Sequence, residues 1–425
     1  MSSKGEQYLR ELDLEAANSF KALRKLITKK VDAEVADNII RMIYQRGAAA
    51  AEGEDLGEKE FYDYKNADYN RGMTVSAAFD GNIMADSCDW IHEHRTSFGE
   101  QILDVGCDTG IVSCFLAREF PESHITAIDD GEAGVVIAKE LAHRLSLFNI
   151  EFKCIKLEEE TGKYDTVFSS RVLHENLLFS KFSGFAPFKE KCIHASSAVL
   201  PYLEQLQERI ATGGNLISIE RLATGASKVG YKIALNKCGL CADEDSFGEL
   251  KCKTMGETEV LTTTIAAKIV GGDELSADEI VQRTVDSWID KTPLMYNHYP
   301  DDTGEMLLHA DGGNLIKGCY IVEGNDIVAK NALYSSISDE TKVYCVMDSL
   351  DDGINLYVQD RSMLNELIEQ FDQACKSLKK QGVSVRKFKV GADGKEIIEN
   401  FKNSKSSSTS KGKSKSKNKK KRKKK

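Results

Sequence analysis

The chain has 425 residues, 41% of them apolar, with a formal net charge of −10. That length and apolar content suit two or three domains with sizeable cores. No apolar run reaches the length of a bilayer crossing and the opening Met1 to Gln7 lacks an apolar leader stretch, so a cytoplasmic protein without a membrane partner is expected. Eleven cysteines are scattered without regular spacing, several inside apolar segments such as Cys114, Cys154 and Cys345, which suits free thiols in a reducing compartment.

Residues 5 to 50 place Phe20, Leu23 and Ile27, then Val35, Ile39, Ile40 and Ile43, at helical spacing, and a helical cap over residues 1–81 is expected. An aromatic and polar stretch follows, Phe61 to Tyr64 and Tyr69 to Met73. Tyr62, Tyr64 and Tyr69 either close over a ligand or pack an amphipathic surface.

Residues 102–110, Ile-Leu-Asp-Val-Gly-Cys-Asp-Thr-Gly, carry the strongest signal. An apolar strand, expected to end near Leu103, breaks into a turn of small residues before an apolar helix. Gly106 and Gly110 let the backbone curl past a ligand with no Cβ in the way, and Asp104 supplies a carboxylate at the strand edge. A second strand, His124 to Ile128, leads to Asp129-Asp130. In a doubly wound sheet a carboxylate there accepts hydrogen bonds from both hydroxyls of an adenosine ribose.

These motifs resemble the class I S-adenosylmethionine-dependent methyltransferases, whose first motif often reads Asp-Val-Gly-Cys-Gly-Thr-Gly. Asp108 stands at the family's middle glycine, so the backbone there must avoid positive φ or rely on the tolerance of Asp. The resemblance covers residues 82–272. It implies S-adenosylmethionine as cofactor, Asp104 near the methionine amino group, Gly106, Cys107, Asp108 and Gly110 along the methionine tail, and Asp129 with Asp130 at the ribose. Ile150 to Leu157 resembles the third strand, with Leu157 flanking the adenine; Lys156 replaces the usual Asp, and Glu158 is a candidate substitute acceptor. Lys163 to Glu175 resembles the fourth strand and its loop, with Ser170 on the cofactor side and His174 either a general base for the acceptor or a loop residue. Arg171 either contacts an anionic acceptor or lies on the surface. The loop lacks the Asn/Asp-Pro-Pro-Tyr motif of exocyclic-amine methyltransferases. Leu206 to Ile219 reads as helix, Gly213-Gly214 turn and strand, which resembles the family's fifth strand after its Gly-Gly turn, and Phe247 to Lys253 with Glu259 to Lys268 resembles the family's terminal antiparallel pair.

Cys238 and Cys241, with Cys252 beyond, form the one cysteine cluster, but a structural zinc site needs a second paired set and none follows, so no metal is expected. Residues 273–400 read as an α+β accessory domain of strands and one long helix, Met363 to Lys380, suited to substrate recognition or self-association. Residues Lys402 to Lys425 contain thirteen Lys or Arg and no acid; removing them from the net charge leaves residues 1–401 at −23. A tail over 401–425 cannot build a core and is expected to be disordered. It could contact nucleic acid through phosphates, touch an acidic body, or aid solubility.

The expectation is an α/β protein: a doubly wound, seven-stranded methyltransferase sheet with a helical N-terminal cap and a smaller α+β C-terminal domain. The expected activity is methyl transfer to a small-molecule acceptor. The alternatives are an RNA or ribosome-associated protein acceptor, and a non-catalytic cofactor-binding or scaffold protein. The sequence leaves the oligomeric state open.

Overall fold

Apolar side chains alternate along the first strands, and the fold sends the two sets into separate cores on opposite faces of one sheet. The structure is a computed structural model, and it describes residues 2–52, 58–173, 188–222, 224–242, 247–269, 275–291, 298–300, 304, 307–309, 313–324, 326–337, 339–349, 353–391 and 396–398. The lysine-rich tail lies outside them.

The N-terminal helices are α1 (Lys4–Glu11), α2 (Phe20–Ile27), α3 (Ala33–Glu52), α4 (Glu58–Lys65) and α5 (Tyr69–Glu93). Strand and helix then alternate: β1 (Gln101–Val105), α6 (Ile111–Glu119), β2 (His124–Asp129), α7 (Glu132–Arg144), β3 (Ile150–Cys154), β4 (Tyr164–Ser170), α8 (Phe188–Arg209), β5 (Ile210–Glu220) and α9 (Gly225–Lys237). Three strands close this part: β6 (Leu240–Cys241), β7 (Phe247–Thr254) and β8 (Glu257–Lys268). Among the described residues they form an eight-stranded sheet in the order β3-β2-β1-β4-β5-β8-β6, with β7 also on β8. β1 to β5 run parallel to one another, while β8 is antiparallel to β5, β6 and β7. The path has the expected count of seven strands, and the eighth arises because β6 and β7 occupy successive stretches of one edge of β8: β7 pairs up to Thr264, and β6 takes Ala267 and Lys268.

Ile102, Ala127, Phe168 and Ile217 point into a core made with α1, α5, α6 and α7. Their neighbours Leu103, Ile128, Val167 and Leu216 point into a second core with α8 and α9. Each fully buried side chain of this size contributes roughly 1.5–3 kcal/mol relative to exposure. The small helix α1 is pinned to the first core by the Tyr8 hydroxyl, which donates to the Ile111 carbonyl at 2.9 Å.

Two expected boundaries fall inside packed structure. α5 runs unbroken across positions 81 and 82, so cap and core share one helix. α10 (Ala277–Lys291) packs Ile280, Val281 and Val285 against Phe188, Cys192, Val229 and Ile233 of α8 and α9, beyond the expected break at 272. The accessory part contains β9 (His298–Pro300), β10 (Asn314–Glu323), β11 (Asp326–Ser335), β12 (Lys342–Ser349), β13 (Gly353–Asp360), α11 (Leu364–Lys380), β14 (Ser384–Val390) and β15 (Glu396–Ile398). Among the described residues they give a seven-stranded sheet ordered β15-β14-β10-β11-β12-β13-β9, with every pairing antiparallel. Its core is Tyr320, Val322, Tyr334, Tyr344, Val346, Leu356 and Phe388.

Candidate cofactor and active site

The strand order reverses between β1 and β4, and the turn after β1 lies at that switch point, where open α/β sheets bind ligands. β1 continues to Val105 rather than ending at Leu103, so Asp104 sits within the strand and is buried. Gly106 and Gly110 adopt φ of +81° and +76°, which glycine takes without steric cost. The Gly106 and Cys107 amides both donate to the Ile128 carbonyl, at 2.9 and 3.1 Å, which ties the turn to the end of β2. Asp108 also has positive φ, +42°, so the turn keeps the glycine conformation with an aspartate in it.

Asp129 ends β2 and is oriented by two backbone amides. Asp108 N donates to its Oδ2 and Gly131 N to its Oδ1, each at 2.8 Å. A carboxylate has about four lone-pair sites. One amide on each oxygen therefore leaves acceptors for two ribose hydroxyls. Burial pushes the Asp129 carboxyl up to about 6, helped by the nearby Asp108 charge and opposed by the two amides. Asp130 is exposed at the rim.

Asp104 lies deeper. The Ser113 hydroxyl at the start of α6 donates to its Oδ2 at 2.5 Å. Burial raises its carboxyl to about 6 against that hydrogen bond, and the Asp129 charge adds to the rise. A carboxyl that titrates higher in the folded chain than in the unfolded one, near 3.8, supplies stability that is complete below that lower value. The contribution is lost as pH climbs through about 6. Asp104→Asn, still able to accept from Ser113, is therefore expected to be more stable than the parent at pH 8, by roughly 2 to 3 kcal/mol at most. The gap should narrow steadily as pH falls below about 6 and vanish only near 3.8. Thermal melts across pH 5–8 check this, and a gap independent of pH would refute the raised titration.

The opposite wall is the end of β4 and the segment after it. Ser169 and the Leu173 amide both donate to Glu220, at 2.8 and 3.2 Å, and Glu220 is completely buried at the end of β5. Arg171 has φ of +60° and its amide donates to Ile219 at 2.9 Å. Its guanidinium pairs with Asp80 of α5 at 2.9 Å, so this side chain braces the wall against α5. Val172 completes the contact: a Cβ on Gly106 would lie 2.4 Å from its Cγ2. Ser170 is half-buried beside it. His174 lies outside the described residues.

Leu157 is buried in the core under α8, in a short 3-10 turn after β3. Lys156 and Glu158 are exposed, and the buried acid of the turn is Glu160, held by Lys153 at 3.0 Å and the Gly162 amide at 2.7 Å. Cys238 packs in the core under α8 and α9, whereas Cys252 packs in the core on the other face of the sheet.

Residues that the motifs did not single out complete the turn. Lys65 at the end of α4 reaches Asp108 Oδ2 at 2.5 Å, Asn66 Nδ2 reaches Oδ1 at 2.8 Å, and Ser76 contributes a hydroxyl at 3.4 Å. The aromatic stretch packs around them, with the Lys65 ammonium 4.7 Å from the Tyr62 ring centre. The chain carries a local trace of this: a lysine follows the run Phe61 to Tyr64 directly, and Asp108 stands where the resembled motif has a glycine. Nothing local pairs them.

Residues 97–228 match the family model described as a methyltransferase domain. Over 84 residues the chain is 37% identical to the ubiquinone biosynthesis O-methyltransferase of Acinetobacter baylyi, covering 19% of this chain and 34% of that protein. Over 127 residues it is 31% identical to the ribosomal protein L11 methyltransferase of Thermotoga neapolitana, covering 26% of this chain and 47% of that one. The chain thus spans about a third to a half of the length of these two curated relatives. A crystal structure of an S-adenosylmethionine-dependent methyltransferase from Aquifex aeolicus aligns at 17% identity and a TM-score of 0.34, covering 48% of this chain and 98% of that chain. Residues 97–228 of this chain thus match a methyltransferase domain.

Proposed function

We propose that this protein transfers the methyl group of S-adenosylmethionine to a small-molecule acceptor. The observation that carries the reading is the joined geometry of the Gly106 to Gly110 turn and Asp129, whose two oxygens are aimed by the Asp108 and Gly131 amides. When bound, the cofactor would supply a methyl group activated on its sulfonium sulfur: an acceptor lone pair would bond to the methyl carbon as the carbon–sulfur bond breaks, its electron pair passing to sulfur and S-adenosylhomocysteine leaving. The chain binds and orients. Asp129 would take the ribose, Asp104 would lie toward the amino group, Cys107 and the glycines would border the methionine tail, Leu157 would flank the adenine from the core, and Ser170 would lie on the cofactor side. The wall braced by Glu220 and the Arg171–Asp80 pair holds the acceptor side against that tail, which favours in-line approach and exclusion of water. His174, which follows Leu173 in the chain, would remove the acceptor proton.

The O-methyltransferase relative supports a small acceptor. The thirteen-cation tail and the relative that methylates a ribosomal protein favour the second reading, an RNA or ribosome-associated acceptor bound with nonspecific nucleic-acid contact. A cytoplasmic setting is supported by eleven free thiols, and among the described residues no helix is long and apolar enough to cross a membrane.

Radiolabelled S-adenosylmethionine offered with a cell extract divided into metabolites, RNA and ribosomes tests the reading. Label in the metabolite fraction is expected. Label only in RNA or ribosomes would move the assignment to the second acceptor class, and cofactor binding with no label anywhere would leave a non-catalytic binding protein. On the accepted substrate, His174→Ala is expected to lower kcat about 10²-fold with cofactor affinity nearly unchanged; equal turnover would remove the proton-transfer role.

A further inference from the structure

We propose that Lys65 is a positioning residue for the cofactor turn: its ammonium, held between Asp108 and Ser76, closes the helical segment before β1 onto the turn and fixes it in its binding shape. The inference rests on the cofactor reading above, and three observations carry it.

Asp108 is a non-glycine residue at positive φ, a conformation that costs aspartate less than most residues but is still held by neighbouring contacts here. Those contacts are Lys65, Asn66 and Ser76, at 2.5, 2.8 and 3.4 Å, and Lys65 also donates to Ser76 at 2.9 Å. The Lys65 side chain is only 6% exposed, so its charge is withdrawn from water and set against one carboxylate.

The residue it grips is the one that aims the ribose carboxylate, because Asp108 N donates to Asp129 Oδ2. A rotation of the Asp108 peptide would break that bond.

The junction also has no slack. A Cβ on Gly134 of α7 would meet the Asp108 carbonyl oxygen at 3.1 Å and Asn66 Nδ2 at 3.2 Å, and one on Gly72 of α5 would meet Ile137 Cδ1 at 2.5 Å. The segments 65–76, 106–110 and 129–138 are therefore packed as one unit around Asp108. Lys65 acts through the turn and is assigned no contact with the reacting atoms.

The test is calorimetric titration of the full chain with S-adenosylhomocysteine, on protein whose melting shows that it is folded. Lys65→Met leaves Asp108 without its countercharge, and binding is expected to weaken at least tenfold. In Lys65→Met with Asp108→Gly, the glycine takes the positive φ freely and the orphaned carboxylate is gone, so affinity should return to within about threefold of the parent. A merely structural lysine would lower the melting temperature and leave the affinity of the folded protein alone. Parental affinity in Lys65→Met, or a double variant no better than the single one, overturns the proposal. If Lys65→Met does not fold, Asp108→Asn takes its place: at least fivefold weaker binding is expected, and unchanged affinity overturns the proposal. Absence of binding by the parent chain would instead overturn the cofactor reading itself.

Discussion

Gly106→Val is expected to abolish measurable S-adenosylhomocysteine binding, the largest effect of any single change in the turn. Gly106 has φ of +81°, which a β-branched residue adopts only under strain. Its Cβ would also lie 2.4 Å from Val172 Cγ2, so the turn and the wall after β4 cannot both stay in place. The sequence alone suggested that the new side chain would occupy ligand space. The structure places the clash at Val172 instead, so the damage reaches the wall after β4 as well. Titration of the folded variant checks this, and affinity within tenfold of the parent would contradict the packing described for Gly106.

Asp129→Ala is expected to weaken the same binding by roughly 1.5 to 3 kcal/mol, about one to two orders of magnitude, through loss of a charged acceptor for the ribose hydroxyls. The variant also leaves the Asp108 and Gly131 amides without their partner. Deoxyadenosine analogues separate the two effects: a ligand lacking one ribose hydroxyl should lose affinity for the parent protein and little further for the variant. Equal affinity of parent and variant for the full ligand would remove Asp129 from the ribose.

What the sequence revealed was local. The strand, the small-residue turn and the helix after it follow one another within residues 101–119, and the alternation of strand and helix to residue 220 implies a parallel sheet covered on both faces. The α5 boundary was illegible for a physical reason. Its buried positions include Gly72, Thr74, Ser76, Ala77, Ala78, Gly81, Ala85 and Ser87, small residues that surround the helix instead of forming one apolar stripe. The motif search found Asp108 as an anomaly, but its countercharge lies 43 residues earlier, and pairing at that separation leaves no periodic trace. Glu220 was missed in the same way: an acid at the end of an apolar strand reads as a surface residue until Ser169 and Leu173 are seen to donate to it.

The central claim is that the Asp104 to Gly110 turn and Asp129 form one adenosyl-cofactor site. A crystal structure of the full chain grown with S-adenosylhomocysteine tests it most directly. The account predicts both ribose hydroxyls within hydrogen-bonding distance of the Asp129 carboxylate and the homocysteine tail along Gly106 to Gly110. The ligand bound elsewhere, or crystals and solution titrations alike without bound ligand at millimolar concentration, would contradict it.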